Sequence, residues 1–576
     1  MDRISATYLI ETPLPVEQAA ASLAGEQSSG TFVAVPGETG ELKRRFAARV
    51  EKITPLEVVA KPGLPGARRA NGFQRAAIVV SWSVENVGCN LPTLVSTVQG
   101  NLYELSQFSG LKLMDLELPP SFVQHFRGPK FGVAGTRQLT GVRSRPLIGT
   151  IIKPSIGLTP KQTAELVDTL VEAGIDFIKD DELMANPPHS PFDERVDAVM
   201  RVINSHADRT GKRVMYAFNV SDELEAMQRH YEKIVSAGGT AAMISLNSVG
   251  LAGVKKICDL GALAIHGHRN GWGMLNRHPL LGIEFPAYQT IWRLAGVDQI
   301  HVNGITNKFW EPDDSVVRSI EACLKPLLGG FSILPVVSSG QWGGQAPETY
   351  RRTKTVDLLY LAGGGILAHP DGAAAGVRSL QKWWEAAVEG LTKEQAIEKY
   401  NELKPSWEKF GGKAVGKHSK EKASAARLMK LAGQETDLEM REIIENVAAD
   451  AYAGKLKEPP RRKQDCKSFY DACCYIFKTT DINANDSMLV VNGVVERMDW
   501  FGREFSDKHV DLLQEFVENW LSPRGLVEIR LISTRVTSEG LERLRRLLPH
   551  VHITVVLDGD NYSDLRSPEE NSGESE

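Results

Sequence analysis

Between about residue 147 and residue 364 the chain repeats one pattern eight times, a short apolar run rich in β-formers followed by a longer helical stretch. That alternation specifies repeated βα units, and eight of them closing on themselves make a (β/α)8 TIM barrel within an α/β protein. The predicted strands span 147–153, 177–182, 213–219, 241–247, 263–269, 299–304, 334–340 and 358–364. Chemistry in such a barrel belongs at the carboxyl ends of the strands. Six of those ends are polar or glycine-rich. The first carries Lys153-Pro154-Ser155, the second Lys179-Asp180-Asp181-Glu182, and the fifth His266-Gly267-His268-Arg269. The sixth carries His301 with Lys308 in the loop beyond, the seventh Ser338-Ser339-Gly340, and the eighth Gly363-Gly364-Gly365. A lone strand histidine is ordinarily a satisfied core residue, and a lone charge run a solvated face. Convergence of six ends argues for a site.

The second end is the most specific. Alternation along a strand sets Lys179 and Asp181 on one face, with Glu182 at the step from strand to loop. A neutral Lys179 amine that captures carbon dioxide as a carbamate adds a third anionic oxygen ligand to the two carboxylates. A hard cation such as Mg2+ takes oxygen ligands and keeps positions open for substrate.

The 576 residues are enough for about three domains. Residues 1–140 read as α+β, with strands over 5–10, 31–35 and 76–84 and helices over 16–24 and 94–106. The barrel occupies 141–411. Residues 412–463 read as a charged helical linker, 464–560 as a small α/β domain, and 561–576 as a disordered acidic tail. Within 464–560 a weak echo of about thirty residues, Val495-Glu496 then Val527-Glu528, is similar to leucine-rich repeats of the strand-plus-helix kind. Net charge of -5 and a pI near 6.3 offer no electrostatic case for nucleic acid or an anionic membrane surface. Six scattered cysteines read as reduced thiols, and no apolar stretch reaches membrane-span length. The first residues lead into a strand rather than a signal peptide, so the expectation is a cytoplasmic protein.

Residues 1 to about 411 resemble the RuBisCO large-chain superfamily, and its RuBisCO-like (form IV) members more closely than a carboxylase. The resemblance runs through Gly25-Glu26 to Thr31, Gly100-Asn101-Leu102, Lys153-Pro154, Gly174 to Glu182, His268-Arg269, His301, Lys308, Ser338 and Gly363-Gly364. It implies a ferredoxin-like N-terminal α+β domain before the barrel, and a carbamylated Lys179 that binds Mg2+ with Asp181 and Glu182. Lys153 is then the base beside a substrate carbonyl, His268 a proton relay, and Lys308 a carboxyl-handling residue on a mobile sixth loop. One phosphate cluster would be Arg269, His301 and Ser338. The other would be the amides of Gly340, Gly363 and Gly364, with Thr31 from a partner subunit. Glu26, Thr31 and Asn101 would complete the neighbouring protomer's site, which implies a functional homodimer.

The departures matter as well. Ser155 stands where the family's carboxylases have a second lysine, Phe32 where they have tryptophan, and Trp272 where they have histidine. Carboxylation of ribulose bisphosphate is therefore not expected. The resemblance implies instead a decarboxylase or transcarboxylase/hydrolase acting on a phosphorylated keto sugar acid of the 3-oxo-isoapionate 4-phosphate type. Its rivals are a 2,3-diketo-5-methylthiopentyl-1-phosphate enolase, a methylthioribulose phosphate isomerase, and a catalytically silent scaffold whose C-terminal domain binds a protein partner.

Overall fold

The structure, a computed structural model, describes residues 2–29, 36–68, 70–327 and 330–411 continuously, and then 488–491, 494–501, 528–532, 538–547 and 552–556. It divides into two compact units, Met1–Val415 and Gly416–Glu576.

In the first unit, eight parallel strands close a barrel: β5 (Leu147–Ile151), β6 (Phe177–Lys179), β7 (Met215–Asn219), β8 (Ala241–Ser245), β9 (Ala264–His268), β11 (Gln299–Asn303), β12 (Leu334–Ser338) and β13 (Leu359–Leu361). Every predicted barrel strand is present, each shorter than expected. β7, β8, β11 and β12 are buried along their whole length, because helices cover their outer faces and side chains fill the interior. Leu147, Phe177, Met215, Met243, Leu334 and Leu359 form that inner packing.

Residues 132–140, which fall within the predicted N-terminal domain, form the helix Gly132–Thr140 that closes the barrel floor. Phe131, Val133 and Leu139 pack against the interior residues. Asp298, just before β11, accepts from the N–H groups of Phe131 (2.6 Å), Gly132 (2.9 Å) and Ile265 (2.8 Å).

A second floor clamp is Asp176, fully buried just before β6. It accepts from Arg145 (2.5 and 3.1 Å), Lys212 Nζ (2.9 Å) and the Ile148 N–H (2.9 Å). Asp176→Ala is expected to cost about 2–3 kcal/mol, less than a wholly buried pair, because both cations can turn to water. A urea midpoint that moves by less than about 0.5 kcal/mol in free energy would show the clamp to be dispensable.

The N-terminal sheet runs β10-β4-β1-β3-β2. Here β1 is Arg3–Thr12, β2 Arg49–Val59, β3 Phe73–Ser83 and β4 Gly110–Glu117. Ile4, Ala6, Tyr8 and Ile10 of β1 and Ala76, Ile78, Val80 and Trp82 of β3 face one core with Ala19, Leu23, Leu94 and Val98 of the covering helices. The period-2 burial is that of a sheet with one face packed. The helix expected over 94–106 is instead Leu91–Val98, started by the Asn90 side chain on the Thr93 N–H, then a 3-10 turn Gly100–Glu104. Gly100, at φ +35°, breaks it. The strand expected over 31–35 lies outside the described residues.

The fifth strand of that sheet comes from the barrel. β10 (Leu281–Ile283), in the connection after β9, pairs in parallel with β4 at Leu281↔Leu111 and Ile283↔Leu113. Lys112, buried beneath the joint, donates to the carbonyls of Asn276 and His278 (both 2.9 Å) and pairs with Glu284 (2.8 Å).

In the second unit, β14 (Met488–Val491) and β15 (Val494–Phe501) are antiparallel, while β15, β16 (Glu528–Ile532) and β17 (His552–Val556) are parallel. A helix, Ser538–Leu547, joins β16 to β17. The linker 412–463, the tail 561–576 and the helical half of the first repeat echo lie outside the described residues. Among the described residues no helix is long and apolar enough to cross a membrane.

Candidate active site

A cavity of about 550 Å3 opens at the carboxyl ends of the barrel strands. Its wall takes Ile151 and Lys153 from β5, Lys179, Asp181 and Glu182 from β6, and His268 from β9. His301, Lys308 and Phe309 follow from β11, residues 338–342 from β12, Leu361 and residues 363–365 from β13, and Lys409 and Phe410 from beyond the barrel.

The Lys-Asp-Asp-Glu run divides between two faces, although the paired part of β6 ends at Lys179. Side-chain alternation carries on past that end, with Lys179 and Asp181 on the cavity side and Asp180 turned outward into the barrel wall. There it accepts from Tyr216 Oη (2.6 Å), the Arg195 guanidinium (3.2 and 3.3 Å) and the Asn219 N–H (3.0 Å). Arg195, fully buried, also donates to the carbonyls of Met184 (3.0 Å), Ala185 (2.6 Å) and Ser190 (2.6 Å). The Asn219 amide holds the carbonyls of Asp181 (3.3 Å) and Glu182 (3.2 Å). This lattice leaves the Asp181 and Glu182 side chains to the cavity. Arg195 was not anticipated, although a cation on the apolar stripe of Phe192, Val196 and Val199 was its available signal.

Lys179 is almost wholly buried, and its Nζ donates to the Asp180 carbonyl at 2.7 Å. Burial lowers its pKa to about 8, with the Lys153 ammonium adding to the effect and the surrounding carboxylates opposing it. Lys153 reaches across from β5, donating to Asp181 Oδ2 (2.5 Å) and Ser155 Oγ (2.6 Å). Burial works against the Asp181 carboxylate, yet the Lys153 hydrogen bond and the Leu183 N–H hold its pKa below the ordinary value. His268 Nε2 stands 3.6 Å from Glu182 Oε2.

Behind them runs a chain of buried polar groups. Gln299 Oε1 meets His266 Nδ1 (2.9 Å), His266 Nε2 meets His301 Nε2 (2.8 Å), and His301 Nδ1 meets Ser338 Oγ (3.0 Å). The Gln299 carbonyl can only accept, so His266 carries its proton on Nδ1, His301 on Nε2, and Ser338 donates its hydroxyl to His301. Burial pushes the His266 pKa down to about 3 and those of His268 and His301 well below the usual value. All three rings are neutral near pH 7.

Arg269 departs from the expected cluster. Its Nη2 pairs with the buried Glu311 at 3.2 Å, its guanidinium lies over Trp272 (4.9 Å) and Phe285 (5.1 Å), and it does not line the cavity. Glu311 also accepts from Asn303 Nδ2 (2.5 Å) and Ser315 Oγ (2.9 Å). His301 and Ser338 are thus brought together, while the arginine beside them pairs with Glu311 through Nη2 and its buried Nη1 has no hydrogen-bond partner.

On the other wall, Lys308 is tied to the β12 end by its N–H on the Ser339 carbonyl (3.0 Å). Gly340 follows at φ +84°, where a Cβ would lie 3.2 Å from Lys308 Cβ, so glycine is required for the close approach. Glu26 ends the helix Val16–Glu26 and Asn101 sits in the 3-10 turn. Neither lines the cavity of its own chain. Thr31 lies outside the described residues.

Among the described residues no three His, Cys, Asp or Glu side chains gather as a ready-made metal site. Asp181 and Glu182 provide two carboxylates, and a carbamate on Lys179 would bring the hard oxygen donors to three, a set that fits Mg2+.

Residues 3–122 match the family model of the ribulose bisphosphate carboxylase large chain, N-terminal domain, and residues 132–425 that of its catalytic domain. Over 395 residues the chain is 52% identical to the 3-oxo-isoapionate-4-phosphate transcarboxylase/hydrolase of Xanthobacter autotrophicus, covering 68% of this chain and 95% of that one. It is 48% identical over 410 residues to the 3-oxo-isoapionate-4-phosphate decarboxylase of Rhizobium etli, covering 71% and 98%. A rubisco-like protein from Burkholderia fungorum superposes with a TM-score of 0.67 at 45% identity, over 71% of this chain and 100% of that one.

Proposed function

The chain belongs to the ribulose bisphosphate carboxylase large-chain family, and on that premise we propose that it is an enzyme acting on a phosphorylated 3-oxo sugar acid of the 3-oxo-isoapionate 4-phosphate type. It breaks the bond between the carboxylate and the adjacent carbon, either as a decarboxylase or by carboxyl transfer and hydrolysis. The observation that carries this reading is the pair of lysines, Lys153 and Lys179, set on neighbouring strand ends around Asp181.

When the carboxylate of a 3-oxo acid leaves as carbon dioxide, the bonding electrons pass to the 3-oxo group and an enolate forms. A Mg2+ held by Asp181, Glu182 and the Lys179 carbamate would supply positive charge where that oxygen anion develops. Lys153 gives the proton that the enolate carbon takes up, and as the free amine removes one when the direction reverses. His268, a neutral imidazole beside Glu182, relays protons at the substrate oxygens, and Lys308 holds the departing carboxyl group. Backbone N–H groups at Gly340, Gly363 and Gly364 hold the phosphate. The His301–Ser338 wall orients uncharged hydroxyls. The positions of Glu26 and Asn101 outside their own chain's cavity support a homodimer in which they, with Thr31, finish the partner's site.

Carbon-13 NMR with carboxyl-labelled 3-oxo-isoapionate 4-phosphate, in Mg2+ and bicarbonate, tests the assignment. The substrate is expected to be consumed, while ribulose bisphosphate and the diketo methylthiopentyl phosphate, offered separately, are not. Label released as carbon dioxide identifies decarboxylation, and label kept in an organic acid identifies carboxyl transfer with hydrolysis. Comparable turnover of either alternative compound, or none of the first, sinks the proposal.

A further inference from the structure

The connection that carries Lys308, residues 304–312 between β11 and the helix Asp313–Leu324, bends through an uncommon backbone. Among the described residues only Thr306 (φ +51°), Ser339 (φ +74°) and Lys354 (φ +51°) are non-glycine residues at positive φ. Two of them meet at Lys308: Thr306 stands just before it in the chain, and the Ser339 carbonyl accepts its N–H. A β-branched residue in the left-handed region is strained, and it stays there only when its surroundings hold it. Gln345 supplies that hold. It ends the 3-10 turn Gly343–Gln345, is 2% exposed, and does not line the cavity. Its Nε2 donates to Thr306 Oγ1 (2.7 Å) and to the carbonyls of Ile305 and Thr306 (both 3.1 Å), while its Oε1 accepts from the Trp342 backbone N–H (2.8 Å). Asp313 Oδ1 takes the Thr306 N–H at 2.7 Å. The Ile305 carbonyl has a second donor in Gln341 Nε2 at 3.3 Å.

The amide, carbonyl and hydroxyl of Thr306 are therefore all engaged, two of the three by one buried side chain. Fixing the dihedral angles of Thr306 fixes the direction in which the backbone leaves it, and Lys308 lies on that path. We propose that Gln345 is a positioning residue for Lys308: by holding Thr306 in its left-handed conformation it sets where the Lys308 ammonium stands at the barrel mouth. The family resemblance implies a mobile sixth loop, and in this chain the anchor pins the end of the loop that precedes Lys308. This deepens the functional reading above and rests on it for what Lys308 does, but the anchor itself does not.

The test is amide hydrogen exchange, read by mass spectrometry on the full-length chain, beside turnover of the phosphorylated 3-oxo acid. Gln345→Met keeps the length of the side chain and removes its donors. Exchange over residues 305–309 is expected to quicken by about tenfold or more while the barrel strands keep their protection. In the same variant kcat should fall by about ten- to hundredfold with KM changed by less than about threefold, as a displaced catalytic group does. Asparagine enters the left-handed region more readily than threonine, so adding Thr306→Asn to Gln345→Met should raise kcat again by about fivefold or more. A loss of core packing would not be repaired by that change. Thr306→Val, at a half-buried position, leaves the core untouched, deletes the Oγ1 contact and should quicken the same exchange by about threefold or more. Unchanged exchange or unchanged kcat in Gln345→Met overturns the proposal, as does a double variant no better than the single one. Should Gln345→Met not fold, unchanged exchange in Thr306→Val overturns it instead. If the exchange results hold while the wild-type chain does not turn over the 3-oxo acid, the substrate assignment fails and the Thr306 anchor stands.

Discussion

Lys179→Ala is expected to abolish activation by Mg2+ and bicarbonate and to lower kcat/KM by about 10^4-fold or more. The change removes the one amine whose carbamate would raise the oxygen donors from two to three, and a lost catalytic metal removes several kcal/mol of charge stabilisation. The reaction with carbon dioxide needs the neutral amine. With the pKa lowered to about 8, roughly a tenth of Lys179 is neutral at pH 7 and roughly nine-tenths at pH 9. Activation of the wild-type chain should therefore rise with pH around a midpoint near 8, and the carbamate should give a carbon-13 resonance that the alanine variant lacks. Equal turnover in the variant, or an activation rate flat from pH 7 to 9, would remove the carbamate from the mechanism.

Lys153→Met is the second large effect, about 10^3-fold on turnover, in the range for loss of a general acid–base. The Lys153 side chain is 43% exposed and its partner is the Asp181 carboxylate at 2.5 Å, so the variant loses little packing and the deficit falls on chemistry. Exchange of solvent deuterium into the substrate carbon should stop, while Mg2+ affinity measured by calorimetry stays nearly the same. Asp181 loses the hydrogen bond that keeps its pKa low, so Mg2+ binding in the variant should weaken at a higher pH than in the wild type. Persistent exchange would assign the base elsewhere.

The barrel was readable because its strands are buried on both faces, and such strands show as continuous apolar runs. Their ends were not. Polar residues that line a cavity read as strand in sequence, which is how the predicted 177–182 shrank to Phe177–Lys179. β2 escaped because it is an edge strand, mostly exposed, with Glu51, Lys52 and Pro55 breaking any alternation. The residues facing the cavity were legible where several fell at one strand end, as at Lys179 to Glu182. Arg195 on Asp180, Glu311 on Arg269 and Lys409 at the rim were not, because each meets its site across tens or hundreds of residues and carries no local pattern. The Glu311 pairing is the most instructive. Arg269 stands in the motif as expected, and a carboxylate forty-two positions later changes what its charge can do.

The strand that the barrel lends to the N-terminal sheet bears on how the protein is made. Tyr103, beside β4, donates to the Gly282 carbonyl from 179 residues away. At about 5–20 residues per second of synthesis, the outer edge of β4 stays bare for roughly ten to thirty seconds after it leaves the ribosome. A bare edge is an invitation to pair with another chain, so nascent polypeptides on one message are most exposed to one another during that interval. Chaperone demand should fall once translation passes Ile283.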